Sequence, residues 1–166
     1  LIRDIEALER ARQVSCVVFD KTGTLTEGRP RVTDIWTTNE NDEKLLQLCA
    51  SAQQGSEHPL AKAILDKATE TNTELLPVSG FKSLAGRGLS AEVAGRNLLI
   101  GSSRLMEESG VDITPLSAYA GESQAQGKTL LWVASENPAT LFGLVALSDS
   151  LRESSPAAIR QLRDAG

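Results

Sequence analysis

Val14-Ser15-Cys16-Val17-Val18-Phe19, running into Asp20-Lys21-Thr22-Gly23-Thr24-Leu25-Thr26, is the stretch that decides how the rest of the chain is read. Its first six residues form a nearly continuous apolar run of strand length. Such a run predicts a strand buried on both faces, as in a parallel α/β sheet. It ends in a polar loop, and ligands of open α/β sheets bind at the carboxyl ends of their strands. A carboxylate there, followed by lysine and a Thr-Gly-Thr turn, is suited to receive a phosphoryl group. Asp20 is the candidate nucleophile. Lys21 and the loop N–H groups can neutralise phosphate oxygens, and Gly23 lets the backbone come close. Two anions repel, so Mg²⁺ is expected to bridge carboxylate and phosphate. Taken singly, an aspartate in this position reads first as a turn residue capping the strand; the seven-residue string Asp20 to Thr26 turns the reading toward phosphoryl chemistry.

Outward from this loop, the spacing of Ile2, Ile5 and Leu8 predicts an amphipathic helix before the strand. After it, the pattern predicts a strand over 31–38 and helices over 42–54 and 59–71, with Pro59 as a first helical residue. Short glycine-divided strands follow over 78–85, 89–94 and 98–101, with Gly95-Arg96 as a hairpin turn. Helices are expected over 103–109 and 115–126, strands over 129–135 and 140–147, and a last helix from residue 154 or 156 onward. The middle reads as α+β, strands with a pair of helices on one side; the two ends read as α/β. That is the layout of an inserted domain.

The 166 residues suit one domain or two small ones and can bury a core without disulfides or a structural metal. A formal net charge of −5 and a pI near 5.0 count against a nucleic-acid surface. No apolar stretch approaches the roughly 18 to 20 residues that span a bilayer, and the charged N-terminus is not a signal peptide. Direct contact with a membrane is not expected. Cys16 and Cys49 are far apart, which fits a reducing compartment and excludes a Cys-x-x-Cys metal site. His58 is the single histidine, so chemistry that needs two imidazoles is excluded.

The string Asp20 to Thr26, DKTGTLT, resembles the phosphorylation motif of the P-type cation-transporting ATPases. The resemblance covers the whole chain. VVFDKTGTLTEG, SEHPLA, LAGRGL, LLIGS and the closing DSLR stand in the order and spacing of the heavy-metal subclass. Ser56-Glu57-His58-Pro59-Leu60 points to that subclass, and LIRDIEALERA is most similar to copper(I)-exporting members. The resemblance implies a haloacid-dehalogenase-like (Rossmannoid) phosphorylation domain, incomplete, over 1–30 and 144–166. It also implies an inserted α+β nucleotide-binding domain over 31–143, an antiparallel sheet flanked by helices. Asp20, Lys21 and Thr22 become the catalytic residues, and Asp20 and Thr22 the magnesium site. Related aspartate-nucleophile phosphatases carry a second Asp two positions after the first, which promotes hydrolysis of the aspartyl phosphate. Thr22 stands there in this chain, and favours a phosphoenzyme that persists.

The same resemblance implies an ATP pocket. Alone, His58 reads as a surface or core histidine; in the family this histidine lies against adenine, and Glu57 supports it. Alone, Gly86-Arg87-Gly88 reads as a turn; in the family the two glycines let backbone approach the nucleotide. Leu89 and Gly101 belong to the same pocket by position. Two residues depart from the family pattern: Gln53 stands where Glu is usual and Ser102 where Asn is usual. Both keep hydrogen-bonding capacity, though Gln53 gives up a charge-assisted bond. Asp149 and Arg152 match an Asp-x-x-Arg element near ribose and phosphates, or equally a helix cap with an exposed arginine. GRGLSA fails as a dinucleotide fingerprint, because a strand and not a helix follows it. Gly127-Lys128-Thr129 fails as a P-loop, because Glu122 stands where a glycine is required.

The expected function is therefore that of the cytosolic ATP-binding and phosphoryl-accepting part of an integral membrane pump. Its partners would be ATP, Mg²⁺ and the pump's transmembrane, actuator and remaining phosphorylation domains. The 166 residues alone are expected to bind nucleotide with little turnover, since the family's later Thr-Gly-Asp and Gly-Asp-Gly-x-Asn-Asp elements are not in them. The alternatives are a soluble aspartate-nucleophile phosphatase, against which Thr22 counts, and a non-catalytic nucleotide-binding module.

Overall fold

A computed structural model describes residues 14–39 and 41–164. The chain divides into two compact units, one of residues 29–149 and one of residues 1–28 with 150–166. The helix expected before residue 13 lies outside the described residues.

The larger unit is built on a six-stranded sheet in the order β1-β6-β5-β4-β3-β2. The strands are β1 (Thr26–Thr37), β2 (Val78–Leu84), β3 (Gly88–Val93), β4 (Arg96–Gly101), β5 (Thr129–Ser135) and β6 (Thr140–Leu151). Neighbours from β2 to β6 pair antiparallel. β1 does so too: Thr38 N–H donates to the Phe142 carbonyl, Thr33 Oγ1 to that of Ala146, and Arg29 N–H to the Asp149 carboxylate.

Helices cover both faces. On one lie α1 (Asp42–Gln53) and α2 (Pro59–Glu70), with Leu45, Leu48, Cys49 and Ile64 packed on Leu98, Ile100, Val133 and Val145. On the other lie α3 (Ser103–Glu108), a 3₁₀ turn at Thr114–Leu116 and α4 (Ser117–Ala125). Leu105, Met106 and Leu116 there meet Leu99, Trp132 and Leu144. The sequence reading puts a pair of helices, α1 and α2, on one side, and α3 and α4 take the other. The run Leu98-Leu99-Ile100 explains the second layer: consecutive strand residues point to opposite faces, so three apolar residues in a row need cover on both.

The hairpin between β3 and β4 turns at Ala94-Gly95, one residue earlier than Gly95-Arg96, because Arg96 pairs with Val93 in the ladder. Both turn residues have positive φ, 48° and 79°. That is the left-handed pair a type I′ turn requires.

In the smaller unit the apolar run ahead of Asp20 is not a strand. Val14 to Phe19 are exposed, Val18 to 89%, and carry no regular structure. A strand holds its conformation through ladder bonds to neighbours, and no described strand lies beside this one. After it come the turn Lys21–Leu25 and, beyond β6, helix α5 (Ser155–Asp164). No helix among the described residues is long and apolar enough to cross a membrane.

Candidate functional site

A cavity of about 360 Å³ opens in the larger unit where the end of α1 and the start of α2 meet β2, β3 and β4. Local rules place its side chains. Helix α1 starts on an Asn41 cap, whose Oδ1 accepts the Lys44 N–H at 2.7 Å, and its last residue, Gln53, reaches the cavity. Gln53 is 4% exposed and hydrogen-bonds the Cys49 thiol one turn back. Burial pushes that thiol up to about 12, and the Gln53 bond pulls the other way.

His58 is the N-cap of α2 and Pro59 follows as its first residue. The His58 Nδ1 accepts the Leu60 N–H at 3.2 Å. An accepting Nδ1 leaves the proton of the neutral ring on Nε2, as a donor.

Leu89 and Ile100 give the cavity an apolar floor, Phe81 an aromatic wall, and Ser56 and Ser83 polar edges. This composition suits a planar heterocycle carrying a polar substituent. Gly88 and Gly101 are ladder partners at the mouth. A Cβ on Gly88 would meet the Ile100 carbonyl and stand 2.6 Å from the Gly101 Cα; one on Gly101 would meet the Arg87 carbonyl. Gly86, at φ 68°, has open space beside it. Ser102 caps α3, its hydroxyl accepting the Leu105 N–H, while its own N–H donates to the Arg87 carbonyl at 2.8 Å.

Of the expected nucleotide residues, the fold gathers Gln53, His58, Gly86, Gly88, Leu89, Gly101 and Ser102 around this one cavity. Three are not among its lining residues. Glu57 is exposed and does not line it. The Asp149 Oδ1 accepts the Arg29 N–H at 3.0 Å. Arg152 donates through Nη2 to the Gly23 carbonyl at 2.9 Å, and so braces the aspartate loop. Sequence reasoning missed Ser56, Phe81 and Arg87. Arg87 lay inside a quoted motif but passed as the spacer between glycines. Phe81 had a signal, an aromatic in a strand otherwise short of bulk, with nothing to say which face it took.

The aspartate loop belongs to the smaller unit. Thr26, 2% exposed, organises it: its Oγ1 accepts the Gly23 N–H and donates to the Lys21 carbonyl, both at 3.1 Å. Arg152 N–H and Ser155 Oγ both donate to the Leu25 carbonyl. The loop's own hydrogen bonds thus hold its shape. The Asp20 carboxylate is exposed and caps nothing in the turn that follows. Among the described residues no group of three or more His, Cys, Asp or Glu gathers as a metal site. Asp20 and Thr22 offer hard oxygen donors. Such a sparse set fits Mg²⁺, which keeps water and shares phosphate oxygens where few carboxylates are present.

Residues 14–166 match the haloacid dehalogenase-like hydrolases. A copper-exporting P-type ATPase of Staphylococcus saprophyticus is 40% identical over 164 residues, 99% of this chain and 20% of that protein. The chain therefore spans about a fifth of the length of the curated relatives it matches. A zinc-transporting PIB-type ATPase crystallised in its E2.Pi state superposes with a TM-score of 0.72 at 33% identity, over 88% of this chain and 23% of that one. The N-domain of a copper-transporting P-type ATPase superposes at 0.60 and 25% identity, over 71% of this chain and 99% of its own. Matched from the start of the apolar run to the last residue, the chain belongs to the haloacid dehalogenase-like hydrolase family.

Proposed function

We propose that this chain is the ATP-binding and phosphoryl-accepting part of a heavy-metal-transporting P-type ATPase, on the cytosolic side of the membrane. The observation that carries the reading is the convergence of Gln53, His58, Gly86 and Ser102, from four separate segments, on one cavity. In this reading the larger unit takes the nucleoside: His58 and Phe81 face the base, and Gln53 hydrogen-bonds its edge. An Asp20 carboxylate oxygen attacks the γ-phosphorus, the bond from that phosphorus to the bridging oxygen breaks, and ADP leaves. Lys21 neutralises charge on the transferred group, and Arg152 and Ser155 keep the loop in shape. Oxygens of Asp20 and Thr22 would hold magnesium, which would supply the charge neutralisation that carboxylate and phosphate need in order to meet. Thr22, lacking a carboxylate, leaves the aspartyl phosphate without a local base, so it lasts long enough to drive transport by the remaining domains. The relatives' copper supports Cu⁺ as cargo.

Calorimetric titration of ATP into the chain, and into its His58→Ala and Gly86→Val variants, tests the pocket. Affinity is expected to fall about tenfold in each; unchanged affinity in both removes the reading. Labelling the full-length protein with γ-labelled ATP tests the acceptor. An acid-stable label that survives Asp20→Asn excludes Asp20.

A further inference from the structure

The cavity's lining includes one fixed cation, Arg87, and no carboxylate. The backbone of Arg87 is held at both ends, its N–H donating to the Leu84 carbonyl at 2.9 Å and its carbonyl accepting from Ser102 N–H at 2.8 Å. The side chain leaves this rigid turn 45% exposed and reaches Glu108 on α3, Nη1 to Oε2 at 2.8 Å. The other oxygen of Glu108 is already taken by Arg104 Nε, also at 2.8 Å. Hydrogen bonds from Arg87 and then Arg104 hold the Glu108 carboxyl below the usual carboxylate range. Two guanidinium groups thus share one carboxylate, and a positive charge is left over at the cavity mouth.

We propose that Arg87 is the anion-binding residue of this cavity and contacts the 5′-phosphates of the bound nucleotide; the inference rests on the nucleotide reading above. A guanidinium has five N–H donors, and the Glu108 ion pair uses one. The rest suit phosphate oxygens in the paired geometry arginine prefers. Glu108 acts as a parking place: it holds the side chain against the end of α3 and competes with the phosphates for it. Arg104, 76% exposed, remains to satisfy Glu108 when Arg87 turns away.

The test measures dissociation constants for adenosine, AMP, ADP, ATP and inorganic tripolyphosphate with the unaltered chain, Arg87→Gln, Arg87→Lys and Glu108→Gln. In the unaltered chain ATP should bind about tenfold more tightly than adenosine. That preference should fall between 50 and 200 mM salt. Arg87→Gln should abolish both preference and salt dependence without weakening adenosine. Arg87→Lys should restore part of the preference, and Glu108→Gln should increase it. Tripolyphosphate alone should bind more weakly than ATP, since the nucleoside places the anion. If Arg87 merely ties the turn to α3, Arg87→Gln and Glu108→Gln will weaken adenosine and ATP in parallel, which overturns the proposal. An unchanged preference in Arg87→Gln overturns it too. If adenosine does not bind the unaltered chain, the nucleotide reading and this inference fall together.

Discussion

Gly88 and Gly101 oppose each other in the β3–β4 ladder, and each is a glycine because of the backbone across from it. A methyl group on Gly88 would run into the Ile100 carbonyl and the Gly101 Cα, and one on Gly101 into the Arg87 carbonyl. Backbone atoms of a sheet cannot swing aside as a side chain can. Gly88→Ala and Gly101→Ala are each expected to destabilise the chain by about 3 kcal/mol. Gly86→Ala meets only open space and a left-handed φ, at about 1 kcal/mol. Urea unfolding of the three variants measures the contrast; equal losses would contradict it.

The His58 ring caps α2 through Nδ1. His58→Ala should therefore lower stability by about 1 kcal/mol as well as weakening nucleotide binding. His58→Asn supplies a capping oxygen without the ring. Its melting temperature should stay near that of the unaltered chain while ATP affinity falls. Recovery of affinity along with stability would mean that the ring serves only the helix.

Cys49 is fully buried with its thiol pushed up to about 12, whereas Cys16 is exposed. Ellman's reagent at pH 8 should titrate one thiol in the folded chain and a second only on unfolding. The linkage follows from the direction of the shift. A folded value raised above the unfolded one favours folding below the unfolded pKa and loses that advantage as pH rises toward the folded value. Stability should thus decline between about pH 9 and 12, and a Cys49→Ala variant should lack that part of the decline.

Ser155, 5% exposed, donates to the Leu25 carbonyl that Arg152 N–H also serves. Ser155→Ala is expected to cost about 1 kcal/mol. The amides of Gly23 and Thr26, tied into the same loop, should exchange with deuterium faster. Unaltered exchange there would show that Thr26 alone maintains the turn.

Ala94 occupies a position with φ 48° in the β3–β4 turn. Ala94→Asn should stabilise the hairpin by about 0.5 to 1 kcal/mol, because asparagine tolerates that region better. A calorimetric melt shows it as a rise in transition temperature.

The helices α1 and α2 were legible because their apolar spacing and end residues, Pro59 among them, are local signals. The strands of the β2–β4 meander were legible because glycines divide them. The turn falls at Ala94-Gly95, one residue before the Gly95-Arg96 that the sequence predicts, since only the pairing of Val93 with Arg96 determines where the chain reverses. Val14 to Phe19 read as a strand in the sequence and are irregular in the structure, because an apolar run records a preference for burial and says nothing of whether partner strands are beside it.

What the sequence determined by itself was the chemistry of the parts: a carboxylate leading a lysine and a Thr-Gly-Thr turn, a histidine before proline at a helix start, and a glycine-rich turn between strands. Those depend on neighbours a few residues away, so local patterns contain them. The resemblance groups Gln53, His58 and Gly86, but only the tertiary structure supplies the cavity they line, and only it decided that Arg152 braces Gly23 across the sequence and that Arg87 lines that cavity with half of a carboxylate for a partner. Those relations come from how the sheet sets its register and how helices settle on it. They are properties of packing between segments distant in sequence, where no local period reaches.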